Sequence, residues 1–351
     1  MHQDRDIIFM RRCLELADKA EGRTYPNPLV GSVIVLDDVI IGEGYHLRAG
    51  EPHAEAKAVS SVANKETLKS ATLYVNLEPC CHHGRTPPCT DLILSHGIKR
   101  VVIGTNDTSE KVNGRSIALL RDAGCEVITG VLEEDCRWLN RRFFTFIEKK
   151  RPYIILKWAQ SADEYIDTSR EKDPAQKPAW ITGNPERVLV HRWRAAEQAI
   201  LAGAGTVRTD DPRLNVRYWT GNNPLRIILS SSGSIRKDSS VFRTNGTNVV
   251  FTHNIEADLP DAEKVKLNGN GNPAFQIMEY LYNAGIQSLI VEGGASVMNL
   301  FISSGLWDEA RIFTGMKNFK TGVKAPAVTG KKYSSTAFTL SYLEMIKNIK
   351  S

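Results

Sequence analysis

Two consecutive α/β domains are what the sequence predicts, on three observations. The chain has 351 residues, and at about 100–200 residues per domain that length supplies two hydrophobic cores. Segments with apolar residues at helical spacing alternate with short β-branched runs from one end to the other, the pattern of α/β architecture. A charged stretch closed by proline, Phe146–Pro152 (FIEKKRP), interrupts the alternation, and a fresh apolar run follows at once. The expected domains are therefore 1–147 and 148–351.

The elements follow in order. Ile7, Met10, Leu14 and Ala17 fall on one face and predict an opening helix. Val30–Leu36 is a buried strand by its β-branched run. His53–Val62 reads as a helix, Ala71–Leu77 as a second strand ended by Glu78-Pro79, and Thr90–Ser95 as a helix leading to the strand Arg100–Gly104. A helix at Arg115–Ala123 and a strand at Cys125–Thr129 complete the first half. In the second half the expected strands are Tyr153–Lys157, Ala199–Ala202, Arg226–Leu229, Val249–Thr252, Ser288–Val291 and Arg311–Thr314. Helices are expected at Pro185–Ala196, Pro273–Ala284 and Ser296–Ser303, and a polar loop at Asp163–Pro178.

Composition narrows the function classes. Hydrophobic content of 42%, charged content of 24% and a net charge of +5 describe an ordinary globular chain without the footprint of nucleic-acid binding. No stretch approaches the roughly 18 apolar residues of a membrane span, and the mixed-charge N-terminus is no signal core. A cytoplasmic protein is the expectation. Cys80, Cys81 and Cys89 crowd together, which in such a chain points to metal binding or catalysis before disulfides. Cys13 and Cys125 read as small core residues, and Cys136 has no assignment.

The chemistry concentrates in His53-Ala54-Glu55, Pro79-Cys80 and Cys89. A zinc hydrolase needs three protein ligands and an open position for water, which one histidine and two thiolates supply. A carboxylate must then move the water's proton to the leaving amine, and Glu55 stands two residues after His53. H-x-E followed by P-C-x-x-C marks the zinc nucleobase deaminases. Here eight residues, CHHGRTPP, separate Cys80 from Cys89 where that motif has two, and an insert beside the metal should line the substrate pocket. A structural zinc site is the competing reading, although such sites favour four protein ligands. Cys81 and His83 are further candidate ligands, and His46 is either a pocket residue or a packed loop histidine.

The string PCCHHGRTPPC, together with TYPNPLVG (Thr24–Gly31) and GYHLRAGEPHAE (Gly44–Glu55), resembles the deaminase half of the bifunctional riboflavin-biosynthesis deaminase/reductases. The resemblance implies a cytidine-deaminase-like three-layer domain and Zn2+. It implies a substrate that is a diaminopyrimidinone carrying a ribosylamino 5′-phosphate, 2,5-diamino-6-(5-phosphoribosylamino)pyrimidin-4(3H)-one, whose 2-amino group leaves as ammonia. Carried over by position, Asn27, His82 and Arg85 are substrate-pocket residues. The family usually has lysine where Arg85 stands, and arginine can hold phosphate bidentately.

Two glycine-bearing segments follow predicted strands in the second half, Gly203-Ala204-Gly205-Thr206 and Glu292-Gly293-Gly294-Ala295-Ser296. Either could be a phosphate cradle at a helix start or simply a tight turn, and neither is the G-x-G-x-x-G fingerprint. Arg151–Ser161, Trp180–Gly183, Gly205–Arg217, Pro224–Ser231 and Val291–Leu300 resemble, in order, the reductase half of the same family, whose fold is dihydrofolate-reductase-like α/β. That resemblance implies NADPH, contacted by Trp180, Thr206, Asp210, Ser231 and the turn Gly294–Leu300 with Ala295 and Ser296. It implies substrate contacts at Lys157, Arg194, Leu214, Arg217 and Glu292, with Arg194 and Arg217 as candidates for the phosphate. The reaction would reduce the ribosyl group to ribityl by hydride transfer. Glu164 replaces the family's usual glycine after Asp163, so a left-handed backbone there would be strained, or the loop would differ. A second reading keeps the deaminase and makes the C-terminal half a non-catalytic phosphate-ligand-binding module. The family also implies a homo-oligomer acting on a phosphorylated pyrimidine, without nucleic acid or membrane partners.

Overall fold

The computed structural model describes residues 2–83, 87–168, 179–269 and 271–350. The chain divides into two compact units, Met1–Lys150 and Arg151–Ser351.

The first unit runs α1 (His2–Asp18), β1 (Gly31–Leu36), β2 (Val39–Tyr45), α2 (Ala54–Ser61), β3 (Thr72–Leu77), α3 (Cys89–Ser95), β4 (Arg100–Thr105), α4 (Arg115–Asp122), β5 (Glu126–Thr129), α5 (Glu133–Leu139) and α6 (Arg141–Lys149). Its sheet has the order β2-β1-β3-β4-β5, antiparallel on both sides of β1 and parallel from β3 to β5. Strand periodicity sorts side chains to two faces. Ile34, Leu73, Val75, Val101 and Ile103 pack with Ala58, Val59, Ile93 and Leu120 of α2, α3 and α4. Val33, Val35, Tyr74 and Val102 pack with Met10, Cys13 and Cys136 of α1 and α5. The result is three layers.

The expected elements of this half are present, with additions. β2 was not legible because Val39 and Ile40 are exposed and Gly42 and Gly44 interrupt the pattern. Those glycines let α2 pack close, since a Cβ on Gly44 would lie 2.6 Å from the Ala58 nitrogen. Phe146–Lys149 belongs to α6, which buries Phe143 and Phe144 against Leu77. The chain turns at Lys150, whose φ is 52°. Cys13 and Cys125 are core residues as expected. Cys136 finds its place on α5, its sulfur 2.3 Å from where a Cβ on Gly104 would stand, so only glycine fits opposite it.

The second unit runs β6 (Tyr153–Gln160), β7 (Tyr165–Thr168), α7 (Asn184–Ala196), β8 (Ala199–Gly203), α8 (Ala204–Asp210), β9 (Leu225–Leu229), α9 (Ser240–Arg243), β10 (Asn248–Thr252), β11 (Ala262–Lys266), α10 (Pro273–Asn283), β12 (Ser288–Gly293), α11 (Ala295–Ser303), β13 (Glu309–Gly315), β14 (Gly322–Lys324), β15 (Lys331–Ala337) and β16 (Ser341–Lys347). Nine strands form one sheet, β11-β10-β9-β8-β12-β6-β13-β16-β15. It is parallel from β11 to β13 and antiparallel beyond. Cores lie on both faces, one including Ile154, Leu156, Leu201 and Val291, the other Tyr153, Ile155, Ile200 and Ile290.

Asp163–Pro178 is not wholly a loop: β7 pairs with β14, a partner from far along the chain. Residues 169–178 lie outside the described residues. Glu164 sits at φ 65° in the turn between β6 and β7. The turn closes all the same, with Glu164 N–H donating to the Ser161 carbonyl at 3.0 Å and Ser161 N–H to the Tyr165 carbonyl at 2.8 Å. Of the two outcomes the sequence allowed, glutamate takes the left-handed backbone.

Candidate active sites

In the first unit, His53 is the extended residue immediately before α2, Cys80 follows β3 by three residues, and Cys89 opens α3. Three connections thus deliver their side chains to one end of the sheet. The Cys80 and Cys89 sulfurs lie 3.5 and 3.3 Å from His53 Nδ1, and the three ligand atoms all fall within 4.8 Å of one another. Zinc–sulfur bonds of about 2.3 Å and zinc–nitrogen bonds of about 2.0–2.1 Å at a tetrahedral angle would separate N from S by about 3.6 Å. The spacing and the soft donor set therefore fit zinc. Among the described residues this is the one such cluster, and neither Cys81 nor His83 belongs to it. The Cys89 backbone N–H donates to the Cys80 sulfur at 3.4 Å, and this bond and the neighbouring His53 favour the Cys80 thiolate, the form that ligates a metal.

Glu55 lies on the first turn of α2 and is 3% exposed. Burial, then the Cys80 charge, raises its carboxyl above the ordinary value, the direction a proton-transferring acid requires. Asn27 donates its side-chain amide to His46 Nε2 at 3.0 Å. His46 Nδ1 lies 3.3 Å from the Pro52 carbonyl, and its ring meets His53 edge-on at 5.4 Å. His46 is thus buried beside the candidate ligand His53 and orients Asn27. His82 is exposed on the insert, and Arg85 lies outside the described residues.

Three supporting side chains had no sequence assignment. Asn76 holds Gly31 N–H and the Leu29 carbonyl, and Asn140 holds both polar groups of Leu29. Together they pin the segment that carries Asn27. Glu78, buried two residues before Cys80, accepts the backbone N–H groups of Asp107, Gly114, Ser116 and Ile117 at 3.0–3.4 Å. It thereby neutralises the start of α4. The acidic residue before Pro79-Cys80 was the available signal, but its partners lie 29–39 residues on.

In the second unit the candidate residues gather at the carboxyl ends of β6, β8 and β12, where parallel sheets bind ligands. The register pairs Val291 with Leu156, which sets Glu292 beside Lys157. Lys157 Nζ is 3.6 Å from Glu292, and Arg194 of α7 grips both carboxylate oxygens at 2.7 Å. Burial alone would raise the Glu292 carboxyl, but the charges of Arg194 and Lys157 outweigh it and bring it to about 2. Burial pushes the Lys157 ammonium down. Arg194 also gives Nη1 to the Asn215 carbonyl at 3.1 Å, so its fork is engaged within the protein. Leu214 is buried with φ 50°, and Arg217 is exposed, bonded to the Asn215 side chain.

The pairing of Gly293 with Ala202 brings the two glycine segments together. A Cβ on Gly293 or Gly294 would stand 3.1–3.2 Å from the Thr206 side chain, and Gly294 has φ 71°, so a bare backbone faces Thr206 where α11 begins at Ala295 and Ser296. That cradle fits the phosphates of a dinucleotide. Asp210 ends α8 on the surface. Ser231 is exposed just past β9, its carbonyl taking the His253 N–H. Trp180 is 66% exposed beneath the Arg187 guanidinium. Among the described residues no helix is long and apolar enough to cross a membrane.

Residues 3–105 match the cytidine and deoxycytidylate deaminase zinc-binding region, and residues 152–336 the RibD C-terminal domain. The chain is 40% identical to the riboflavin biosynthesis protein RibD of Aquifex aeolicus, over 92% of this chain and 90% of that one. It is 34% identical to the Escherichia coli protein of that name, over 89% and 88%. The crystal structure of a Thermotoga maritima diaminohydroxyphosphoribosylaminopyrimidine deaminase/5-amino-6-(5-phosphoribosylamino)uracil reductase superposes with a TM-score of 0.90 at 39% identity, covering 99% of this chain and 100% of that one.

Proposed function

The chain belongs to the RibD family of riboflavin-biosynthesis enzymes, which carry a deaminase and a reductase activity, and on that premise we propose which residues perform each step. The substrate of the first reaction is the diaminopyrimidinone ribosylamino phosphate, and that of the second is its deaminated product. The observation that carries the assignment is the convergence of His53, Cys80 and Cys89 beside the buried Glu55.

In the deaminase, His53 Nδ1 and the two cysteine sulfurs would hold zinc, leaving a fourth position open. Zinc, when bound, supplies the Lewis acidity that makes water a nucleophile near neutral pH. Glu55 takes the proton of the attacking water and delivers it to the departing amine, so a C–O bond forms, the C–N bond breaks and ammonia leaves. Asn27, oriented by His46, and His82 and Arg85 of the insert bind the substrate.

In the reductase, Thr206, Asp210, Ser231, Trp180 and the Gly294-Ala295-Ser296 turn bind NADPH, which when bound supplies the hydride. Lys157, Arg194, Leu214, Arg217 and Glu292 contact the substrate, with the arginines facing its phosphate. The Lys157–Arg194–Glu292 cluster has two cations to one anion, which suits a phosphorylated ligand. Arg194 fixes Glu292 with two of its five N–H donors and spends a third on Asn215, which leaves two, one on Nη1 and one on Nη2, to receive the substrate.

Zinc-loaded protein supplied with the diaminopyrimidinone and NADPH tests the whole. Ammonia release and NADPH loss in equal amounts, both abolished in Glu55→Gln with zinc retained, is the expected result. Ammonia without NADPH loss would leave the second unit as a non-catalytic binding module. Neither product, with zinc bound, would overturn the substrate.

A further inference from the structure

The reductase site described above contains a histidine that no step uses. His191 lies on α7 one turn before Arg194 and is 2% exposed. The charges of Arg194, Arg217, Glu292 and Lys157 all bear on its ring. A buried histidine among these groups would ordinarily be the first choice for a proton donor. Its hydrogen bond indicates otherwise.

His191 Nδ1 accepts the backbone N–H of Arg217 at 2.9 Å. An accepting Nδ1 places the ring proton on Nε2 and keeps the imidazole neutral, since a charged ring has two donors and no acceptor. Burial first, then the Arg194 and Arg217 charges, hold His191 down at about 4. The ring also meets Tyr218 edge-on, with centroids 4.9 Å apart at 86°.

The neighbouring backbone is pinned residue by residue. The Asn215 carbonyl takes Arg194 Nη1 at 3.1 Å, Val216 N–H donates to the Asn223 side chain at 2.8 Å, and Arg217 N–H donates to His191. The segment needs such restraint, because it begins at Leu214 with φ 50°, a conformation leucine adopts only under constraint. Two of the three restraints come from α7, from residues three apart and hence on one face. We propose that His191 is a positioning residue for the reduction, one jaw of a clamp with which α7 holds Leu214–Arg217 in place to receive the substrate. The proposal rests on the reading of Arg217 as a substrate contact, and it removes His191 from the candidates for proton transfer.

The test is steady-state NADPH oxidation by the full-length enzyme with 5-amino-6-(5-phosphoribosylamino)uracil. The variants are His191→Leu, which keeps the bulk and loses the acceptor, and His191→Asn, whose side-chain oxygen sits on Cγ where Nδ1 does. Losing a buried acceptor corresponds to roughly a tenfold or larger rise in KM for His191→Leu, with kcat and NADPH affinity changed less than about threefold. His191→Asn is expected to return KM to within about threefold of wild type, because it restores the bond. Should the leucine variant fail to fold, His191→Gln, whose acceptor stands one bond farther out, is the impaired arm. A collapse of kcat with KM unchanged, in all the His191 variants alike, would overturn the proposal in favour of a proton-transfer role. So would a wild-type KM in the impaired arm while Arg217→Ala raises KM. If Arg217→Ala leaves KM untouched, it is the substrate-contact reading beneath the proposal that falls.

Discussion

Replacing Glu164 by glycine should stabilise the second unit, against the general rule that glycine in structured backbone costs stability. Glu164 has φ 65°, and its backbone is fully used: N–H to the Ser161 carbonyl, and its own carbonyl to Ala325 N–H at 2.9 Å. Its side chain is exposed. An L-residue in the left-handed region carries about 1–2 kcal/mol of strain, which glycine relieves. Against this, glycine gains freedom in the unfolded chain worth about 0.5–1 kcal/mol. The net expectation is a gain of about 0.5–1 kcal/mol, or about 1–4 °C in the unfolding midpoint of a domain of this size. Differential scanning calorimetry of Glu164→Gly measures it. Glu164→Ala is the control, since alanine keeps the strain and should shift the midpoint little. A gain shared equally by both variants would mean that the glutamate side chain was responsible, and a loss in Glu164→Gly would refute the strain argument. Reductase turnover should be unchanged within about twofold, because Asp163, the neighbour that joins the turn to Phe319 and Lys320, keeps its bonds.

The remaining expectations concern buried carboxylates. Glu78→Gln replaces one accepting oxygen by a donor that faces backbone N–H groups, so two of the four lose their partner, a destabilisation of about 2–4 kcal/mol read from chemical unfolding of the zinc-loaded protein. A midpoint equal to wild type would show that water satisfies those groups. For Glu292 the folded value of about 2 lies below the ordinary 4.5, so its ionisation stabilises the fold above pH 4.5 and is lost as pH falls from there toward 2. The pairing contributes on the order of 3 kcal/mol, and urea midpoints between pH 5 and 3 should fall more steeply in wild type than in Glu292→Gln. Parallel profiles would show that the pairing does not drive acid lability.

Much of this protein could be read from its sequence, for local reasons. Strand alternation shows in runs such as Val33-Ile34-Val35, whose side chains go to opposite cores, because the two-residue period is written in adjacent positions. His53, Glu55, Cys80 and Cys89 were candidates because metal chemistry restricts residue types. What stayed hidden depends on partners far apart in the chain. β7 is four residues whose pairing strand lies beyond residue 320, and its polar surroundings read as a loop. Glu78, Asn76 and Asn140 act by bonding backbone groups, which carry no sequence signal at the receiving end. His191 falls within the expected helix Pro185–Ala196 with no motif around it, and only the fold places the Arg217 N–H against it. Arg194 was a candidate binding arginine, but only the packing of α7 over the end of β12 shows its Nε and Nη2 bonded to Glu292. The sequence alone therefore determined the two-domain α/β order and the candidate site residues, because periodicity and donor chemistry reside in the residues themselves. The tertiary structure decided which of those residues are held, neutralised or freed, because hydrogen bonds and buried charges depend on distances that only the packed chain establishes.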